Sequence, residues 1–257
     1  MAMPSPGELL AVAQEAALAA GRRTLDYFGR GTAVEWKADG SPRTRADLEA
    51  EEILRAVIRG AYPSHAILGE EAGEEAGTEP VRWIVDPIDG TRTFIHGVPL
   101  YGTLVGVEVE GEPVAGVIYL PALDEMVAAA RGLGCAWNGR PCRVSECAGL
   151  DRALLVMSDQ TAALRRQPFA RLVERTRTQR TWGDCYGYAL VATGRADIAL
   201  DPEMSIWDSA ALLPIIEEAG GRFTDWSGRR TIAGPDALAT NGLLHEEALA
   251  LLRSAGP

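Results

Sequence analysis

The hexapeptide Asp86-Pro87-Ile88-Asp89-Gly90-Thr91 follows directly on the apolar run Trp83-Ile84-Val85. Two carboxylates so close in sequence repel each other unless something cationic lies between them. Pro87 stiffens the turn that separates them, and Gly90 permits a close backbone approach. Hard oxygen donors of this kind suit Mg²⁺. Two further acidic pieces have a related placement. Gly69-Glu70-Glu71 follows the apolar run Ala66-Ile67-Leu68, and Trp207-Asp208 opens a predicted helix, where the dipole favours a carboxylate. Plainer readings exist for each piece. Glu70-Glu71 reads equally as a solvated acidic loop, Asp208 as a helix cap and the hexapeptide as a structural turn.

These acids need rigid elements behind them. Ser5-Pro6-Gly7-Glu8 is a helix start, and an Ala/Leu-rich helix is predicted to run to about Tyr27. Thr44 caps a second helix, with Asp47 three residues on and Ala50, Ile53, Leu54, Val57 and Ile58 on one face. Ala66 to Leu68 and Arg82 to Val85 read as buried strands, each delivering acids at its end. Thr103–Val109 and Pro113–Leu120 form a predicted hairpin about Glu110-Gly111. A strand from Met126 to Ala130 and a turn at Asn138-Gly139 follow. Further on come a strand at Ala153–Met157, helices at Ala162–Arg175 and Asp184–Thr193, a strand at Ala196–Leu200 and one helix from Trp207 to Ala219. Helices flanking a β-rich centre predict a layered α+β sandwich. Residues 1–257 are read as a single domain, and a subdivision near residues 148–152 would separate a metal-site half, 1–148, from a smaller half, 149–257.

The 257 residues suffice for a sizeable core, and 47% hydrophobic with 24% charged residues describes an ordinary globular chain. The net charge of −11 argues against nucleic acid as a partner, which calls for a basic face. It leaves phosphorylated small molecules open, because bound cations reverse the field of an acidic cleft. There is no apolar run long enough for a bilayer and no secretory signal pattern. Cys135, Cys142, Cys147 and Cys185 form no C-x-x-C pair. They are read as reduced thiols in a cytoplasmic protein.

Taken together, the motifs resemble the inositol monophosphatase superfamily of metal-dependent, lithium-sensitive phosphatases. The matching stretches are GEE at 69–71, WIVDPIDGT at 83–91 and WDSAALLPIIEEAGG at 207–221, with Asp39-Gly40-Ser41-Pro42, Thr44 and Asp47 in an early motif. The resemblance implies the αβαβα sandwich shared with fructose-1,6-bisphosphatase, two or three Mg²⁺ ions, lithium inhibition and a homodimer. It further implies that Glu70, Asp86, Asp89, Asp208 and the carbonyl of Ile88 ligate metal. Thr91 corresponds to the residue that orients the metal-activated water, Asp47 to its hydrogen-bonding partner and Glu71 to a support for the ligands. Asp89, Gly90, Thr91 and Asp208 would meet the substrate, Gly90 and Thr91 through backbone N–H groups at the start of a short helix. His65, His96 and His245 are read as structural or exposed.

Family alignment places the alcohol-binding segment at Arg180–Tyr188 and Asp201–Ser205. RTWGDCYGY at 180–188, followed by LVATGRAD, resembles the histidinol-phosphatase branch. The substrate contacts expected there are Arg180, Gly183, Asp184 and Asp201. An acid such as Asp184 would pair with the amine or imidazole of L-histidinol phosphate. Asp184 also reads as a helix cap, and Trp182, Tyr186 and Tyr188 as core. The expected activity is therefore hydrolysis of L-histidinol phosphate in histidine biosynthesis. Inositol-1-phosphate or a broader sugar phosphate such as fructose 1,6-bisphosphate are the alternative substrates. A metal-binding regulator without activity would have lost Thr91 or a metal-site acid, and none is missing.

Overall fold

A computed structural model describes residues 3–158 and 168–253. In chain order the elements are α1 (Pro6–Thr24), β1 (Val34–Trp36), β2 (Pro42–Thr44), α2 (Arg45–Ala61), β3 (Ala66–Gly69), β4 (Gly73–Glu75), β5 (Val81–Asp89), α3 (Thr91–Ile95), β6 (Gly102–Val109), β7 (Glu112–Leu120), β8 (Glu125–Ala130), β9 (Gly134–Trp137) and β10 (Arg140–Cys142). The second part holds β11 (Leu154–Met157), α4 (Pro168–Arg175), β12 (Thr178–Arg180), α5 (Asp184–Ala192), β13 (Ile198–Asp201), α6 (Ile206–Ser209), α7 (Leu212–Glu218), β14 (Arg222–Thr224), β15 (Ala237–Thr240) and α8 (His245–Arg253). The part of the expected 162–175 helix before residue 168 lies outside the described residues.

Period-two alternation sorts the strand residues between layers. In the large sheet, ordered β10-β9-β8-β7-β6-β5-β3-β4, Trp83, Val85, Val105, Val107 and Val117 pack with Leu9, Ala13, Leu54 and Ile58 of α1 and α2. The intervening Ile84, Leu104 and Ile118 turn to the opposite face, against Ala189, Leu213 and Ile216 of α5 and α7. The second sheet, β12-β11-β13-β15-β14, covers those helices with Val156, Ala199 and Ala239. Its other face, Leu155, Ile198, Leu200 and Leu238, packs against Leu172 of α4 and Leu249 of α8. The stack is a five-layer αβαβα sandwich, as the motifs imply.

Both N-terminal helices carry the predicted caps. Ser5 and Glu8 form one capping box, Thr44 and Asp47 the other. The helix expected from Trp207 to Ala219 is instead two, α6 and α7, broken at Ala210 and Ala211. Pro214 explains the break, since it has no N–H to donate to the carbonyl of Ala210 four residues back. The break seats on the large sheet at Gly106 and Gly116, which face each other across β6 and β7. A Cβ at Gly106 would lie 2.6 Å from Ala210, and one at Gly116 would lie 2.1 Å from the Ala211 carbonyl oxygen. These two glycines let the chain just after Asp208 rest directly on sheet backbone.

Candidate active site

Strand β5 is buried along nearly all its length and runs on through Pro87 to Asp89. Its register against β6 shifts between Asp86 and Asp89. At this irregularity the Ile88 N–H donates to Asp86 Oδ1 at 3.0 Å, and the Thr103 hydroxyl donates to the Pro87 carbonyl at 2.8 Å. The turn thus aims Asp86 and Asp89 to one side. Gly90 then takes φ 83° and caps α3. A side chain there would meet both the left-handed strain and the Asp184 carboxylate, 2.7 Å from an added Cβ.

Asp208 arrives from the other half of the chain. It is the third residue of α6 and accepts the Ser205 N–H at 2.7 Å, so the expected cap role is real. The cap does not exhaust it. One carboxylate oxygen each from Asp86, Asp89 and Asp208 lie within 4.8 Å of one another. Burial pushes Asp86 and Asp89 well above the usual carboxylate range, with Glu70 the largest neighbouring charge on Asp86 and Asp184 on Asp89. Asp208 is pushed up to about 7, again first by burial. Such a cluster is relieved by protons or by a cation. Its all-oxygen donor set fits a hard divalent ion.

Glu70 and Glu71 stand at the edge of this cluster and are not a solvated loop. Lys37, in the turn after β1, places its ammonium 2.8 Å from Glu70 Oε1 and 2.7 Å from Glu71 Oε1. The buried Glu51 of α2 accepts the N–H groups of Glu71 and Ala72 at 2.7 and 3.1 Å and holds their loop. Asp47 is buried at the start of α2, where its Oδ2 accepts the N–H and hydroxyl of Thr44. Its Oδ1 lies 3.4 Å from Thr91 Oγ1, which also donates to the Ile88 carbonyl at 3.0 Å. Burial, before any neighbouring charge, raises the Asp47 carboxyl above its ordinary value.

A cavity of about 410 Å³ opens on Asp89 and Asp208. Its lining also carries Asp184, Asp201 and Glu203, with Arg92, Thr93, Ser158 and Met204. Asp184 has φ 52° and accepts the Thr93 hydroxyl at 3.0 Å. The N–H of the next residue, Cys185, donates to Asp89 Oδ2. Asp201 accepts the Ser158 N–H and the Tyr188 hydroxyl, both at 2.9 Å, and burial pushes it up to about 7. Arg180 and Gly183 do not line this cavity. Arg180 is exposed, donates to the Gln179 carbonyl and lies over the Trp182 ring. Gly183 packs so tightly on Ser158 that an added Cβ would lie 2.1 Å from its Cα. Arg92, Thr93 and Ser158 are wall residues that sequence reasoning missed, whereas Glu203 falls inside the expected 201–205 segment without having been singled out. Of the three, Arg92 and Thr93 carried a signal, by following the acidic hexapeptide.

Residues 5–256 match the model of the inositol monophosphatase family. The chain is 46% identical to a histidinol-phosphatase of Chlorobaculum parvum over 236 residues, covering 90% of this chain and 91% of that protein. It is 35% identical to an inositol-1-monophosphatase of Synechocystis sp., covering 95% and 89%. The crystal structure of the extragenic suppressor protein SuhB from Bartonella henselae superposes with a TM-score of 0.91 at 31% identity, covering 96% and 99% of the two chains. With these likenesses, the sandwich and its carboxylate cluster define a phosphoric monoester hydrolase. The chain belongs to the inositol monophosphatase family.

Proposed function

We propose that this enzyme is a Mg²⁺-dependent histidinol-phosphatase, releasing L-histidinol and phosphate in histidine biosynthesis. The observation that carries the substrate is the acidic lining of the cavity beyond the carboxylate cluster, Asp184, Asp201 and Glu203. A phosphate ester whose alcohol bears a protonated amine or imidazole can pair its own positive charge with these carboxylates, whereas a neutral polyol has no charge to pair. The likeness to a protein named histidinol-phosphatase supports the same choice.

Asp86, Asp89, Asp208 and Glu70, with the Ile88 carbonyl, are the proposed metal ligands, and Glu71 keeps Glu70 and Lys37 in place. Divalent ions held there supply Lewis-acid stabilisation of the phosphoryl oxygens and acidify a water. Thr91, held between the Ile88 carbonyl and Asp47, would position a water for in-line attack, with Asp47 as the acceptor for the Thr91 hydroxyl proton. The raised affinity of Asp47 for a proton suits it to receive one. The first turn of α3 at Gly90 and Thr91 cradles the phosphate. Arg180 and Gly183 act on the substrate only indirectly, Gly183 by allowing Ser158 to approach Asp184. A cytoplasmic homodimer is the form we assign to it, on family resemblance.

Inositol 1-phosphate is the second reading, because the likeness to a protein named inositol-1-monophosphatase supports it. The deciding experiment is kcat/KM with Mg²⁺ for L-histidinol phosphate, inositol 1-phosphate, fructose 1,6-bisphosphate and 3′-phosphoadenosine 5′-phosphate. L-Histidinol phosphate is expected to lead. A lead for inositol 1-phosphate rejects this substrate and keeps the enzyme class.

A further inference from the structure

Cys135 and Cys142 lie on neighbouring strands at the outer edge of the large sheet, with their Sγ atoms 3.5 Å apart. They are direct cross-strand partners in the β9–β10 hairpin. The turn Asn138-Gly139 closes the hairpin between Trp137 and Arg140, and pairing then alternates, so Pro141 takes the pair that needs no N–H. Cys135 and Cys142 fall at the next hydrogen-bonded pair, where Cα atoms are about 5.5 Å apart, within the range a disulfide spans. The two thiols are not equivalent. Cys135 is buried and Cys142 partly exposed, and both line a separate cavity of about 510 Å³. The bond to Cys135, and secondarily the charge of Arg195, lowers the pKa of Cys142, while the same bond and burial raise that of Cys135. The mechanism of phosphate hydrolysis uses neither residue.

We infer that Cys135 and Cys142 form a reversible thiol–disulfide site, with Cys142 as the attacking thiol and Cys135 as the resolving one. With a peroxide as oxidant, the Cys142 thiolate attacks one oxygen, the O–O bond breaks, and a sulfenic acid and one water result. Cys135 then attacks the Cys142 sulfur, forming the S–S bond, and the departing hydroxide leaves as a second water with the Cys135 proton. Two thiols and one peroxide thus give one disulfide and two waters. A dithiol reductant reverses the bond by exchange.

The test treats the full-length protein with hydrogen peroxide, blocks remaining thiols with iodoacetamide and maps tryptic peptides without reduction. Trypsin does not cut before Pro141, so one peptide, residues 132–143, carries both cysteines. The expected peptide is two hydrogens lighter and unalkylated. Free thiols fall from four to two, and dithiothreitol restores both. In Cys135→Ser, Cys142 should instead stop at a sulfenic acid that dimedone traps. Alkylation of both cysteines after peroxide exposure overturns the inference. So does oxygen added irreversibly to wild-type Cys142, or a Cys142 disulfide that still forms in Cys135→Ser.

Discussion

The Lys37 ammonium bridges Glu70 and Glu71, at 2.8 and 2.7 Å, so an internal cation anchors two adjacent acids beside the carboxylate cluster. The bridge ties the β1–β2 hairpin to the loop after β3. Glu71 is only 2% exposed at its side chain, against 20% for Lys37. A pair of this intermediate burial falls between the small effect of surface ion pairs and the larger loss on breaking buried ones. Lys37→Gln is therefore expected to destabilise the metal-free protein by roughly 2 kcal/mol. Urea unfolding in chelator measures this. In a double-mutant cycle with Glu71→Gln, simple additivity would refute the coupling.

Asp89 contributes both a clustered carboxylate and the acceptor for the Cys185 N–H. Asp89→Asn keeps an acceptor oxygen but removes the charge. We expect kcat/KM to fall by about 10³-fold, equivalent to several kcal/mol of lost metal assistance. The metal-free variant should be at least as stable as wild type, because one repelling charge has gone. A folded variant with near-normal Mg²⁺-dependent turnover would defeat the assignment of Asp89.

The raised carboxyls set the pH dependence of stability. Asp201 and Asp208 titrate at about 7 in the folded chain, and Asp86 and Asp89 are also displaced upward. Unfolded aspartates titrate near about 3.9, so between these values the folded chain binds more protons than the unfolded one. This stabilisation is complete below the unfolded pKa and is lost as pH rises through about 7. In chelator, Tm should fall from about pH 5 to about pH 8. On the proposed metal assignment, saturating Mg²⁺ should replace the protons and flatten the trend. A Tm in chelator that climbs across this range would contradict the cluster's electrostatics.

Glu203 lines the cavity and offers a test of the charge of the alcohol. Glu203→Gln is expected to raise KM for L-histidinol phosphate about tenfold, the worth of one charge-assisted hydrogen bond. The same change should leave KM for inositol 1-phosphate within about twofold. Equal effects on both esters would remove Glu203 from substrate selection.

Chain-local signals made much of this legible. The capping boxes at Ser5 and Thr44, the hairpin about Glu110-Gly111 and the acids at the ends of β3 and β5 are encoded in short runs of sequence. Asp208 was recognisable from its place in a longer motif, although only folding brings it within reach of Asp86 and Asp89. The break before α7 was harder, because Ala210, Ala211, Leu212 and Leu213 are good helix formers that continue the pattern and only Pro214 opposes it. Very short strands such as β1, β4 and β14 carry too few residues for a period to emerge. The clasp from Lys37 to Glu70 spans 33 residues, and Glu51 reaches the 71–72 loop from the middle of a helix. Neither has a local pattern to announce it. The position of Arg180 was illegible for a related reason, since its neighbours approach the cavity while its own side chain turns to Gln179 and Trp182.

Gly106 and Gly116 work as a spacer of zero thickness. Asp86 and Asp89 ride on the large sheet, while Asp208 rides on the segment that rests against these two glycines. The separation of the acids is therefore gauged by bare backbone: Gly106 pairs with Ile84, two residues before Asp86, and meets Ala210, two residues after Asp208. One methyl group at either position would act as a wedge, lifting Asp208 away from its partners. Such a lesion would present as weakened metal binding, although every ligand remained in place.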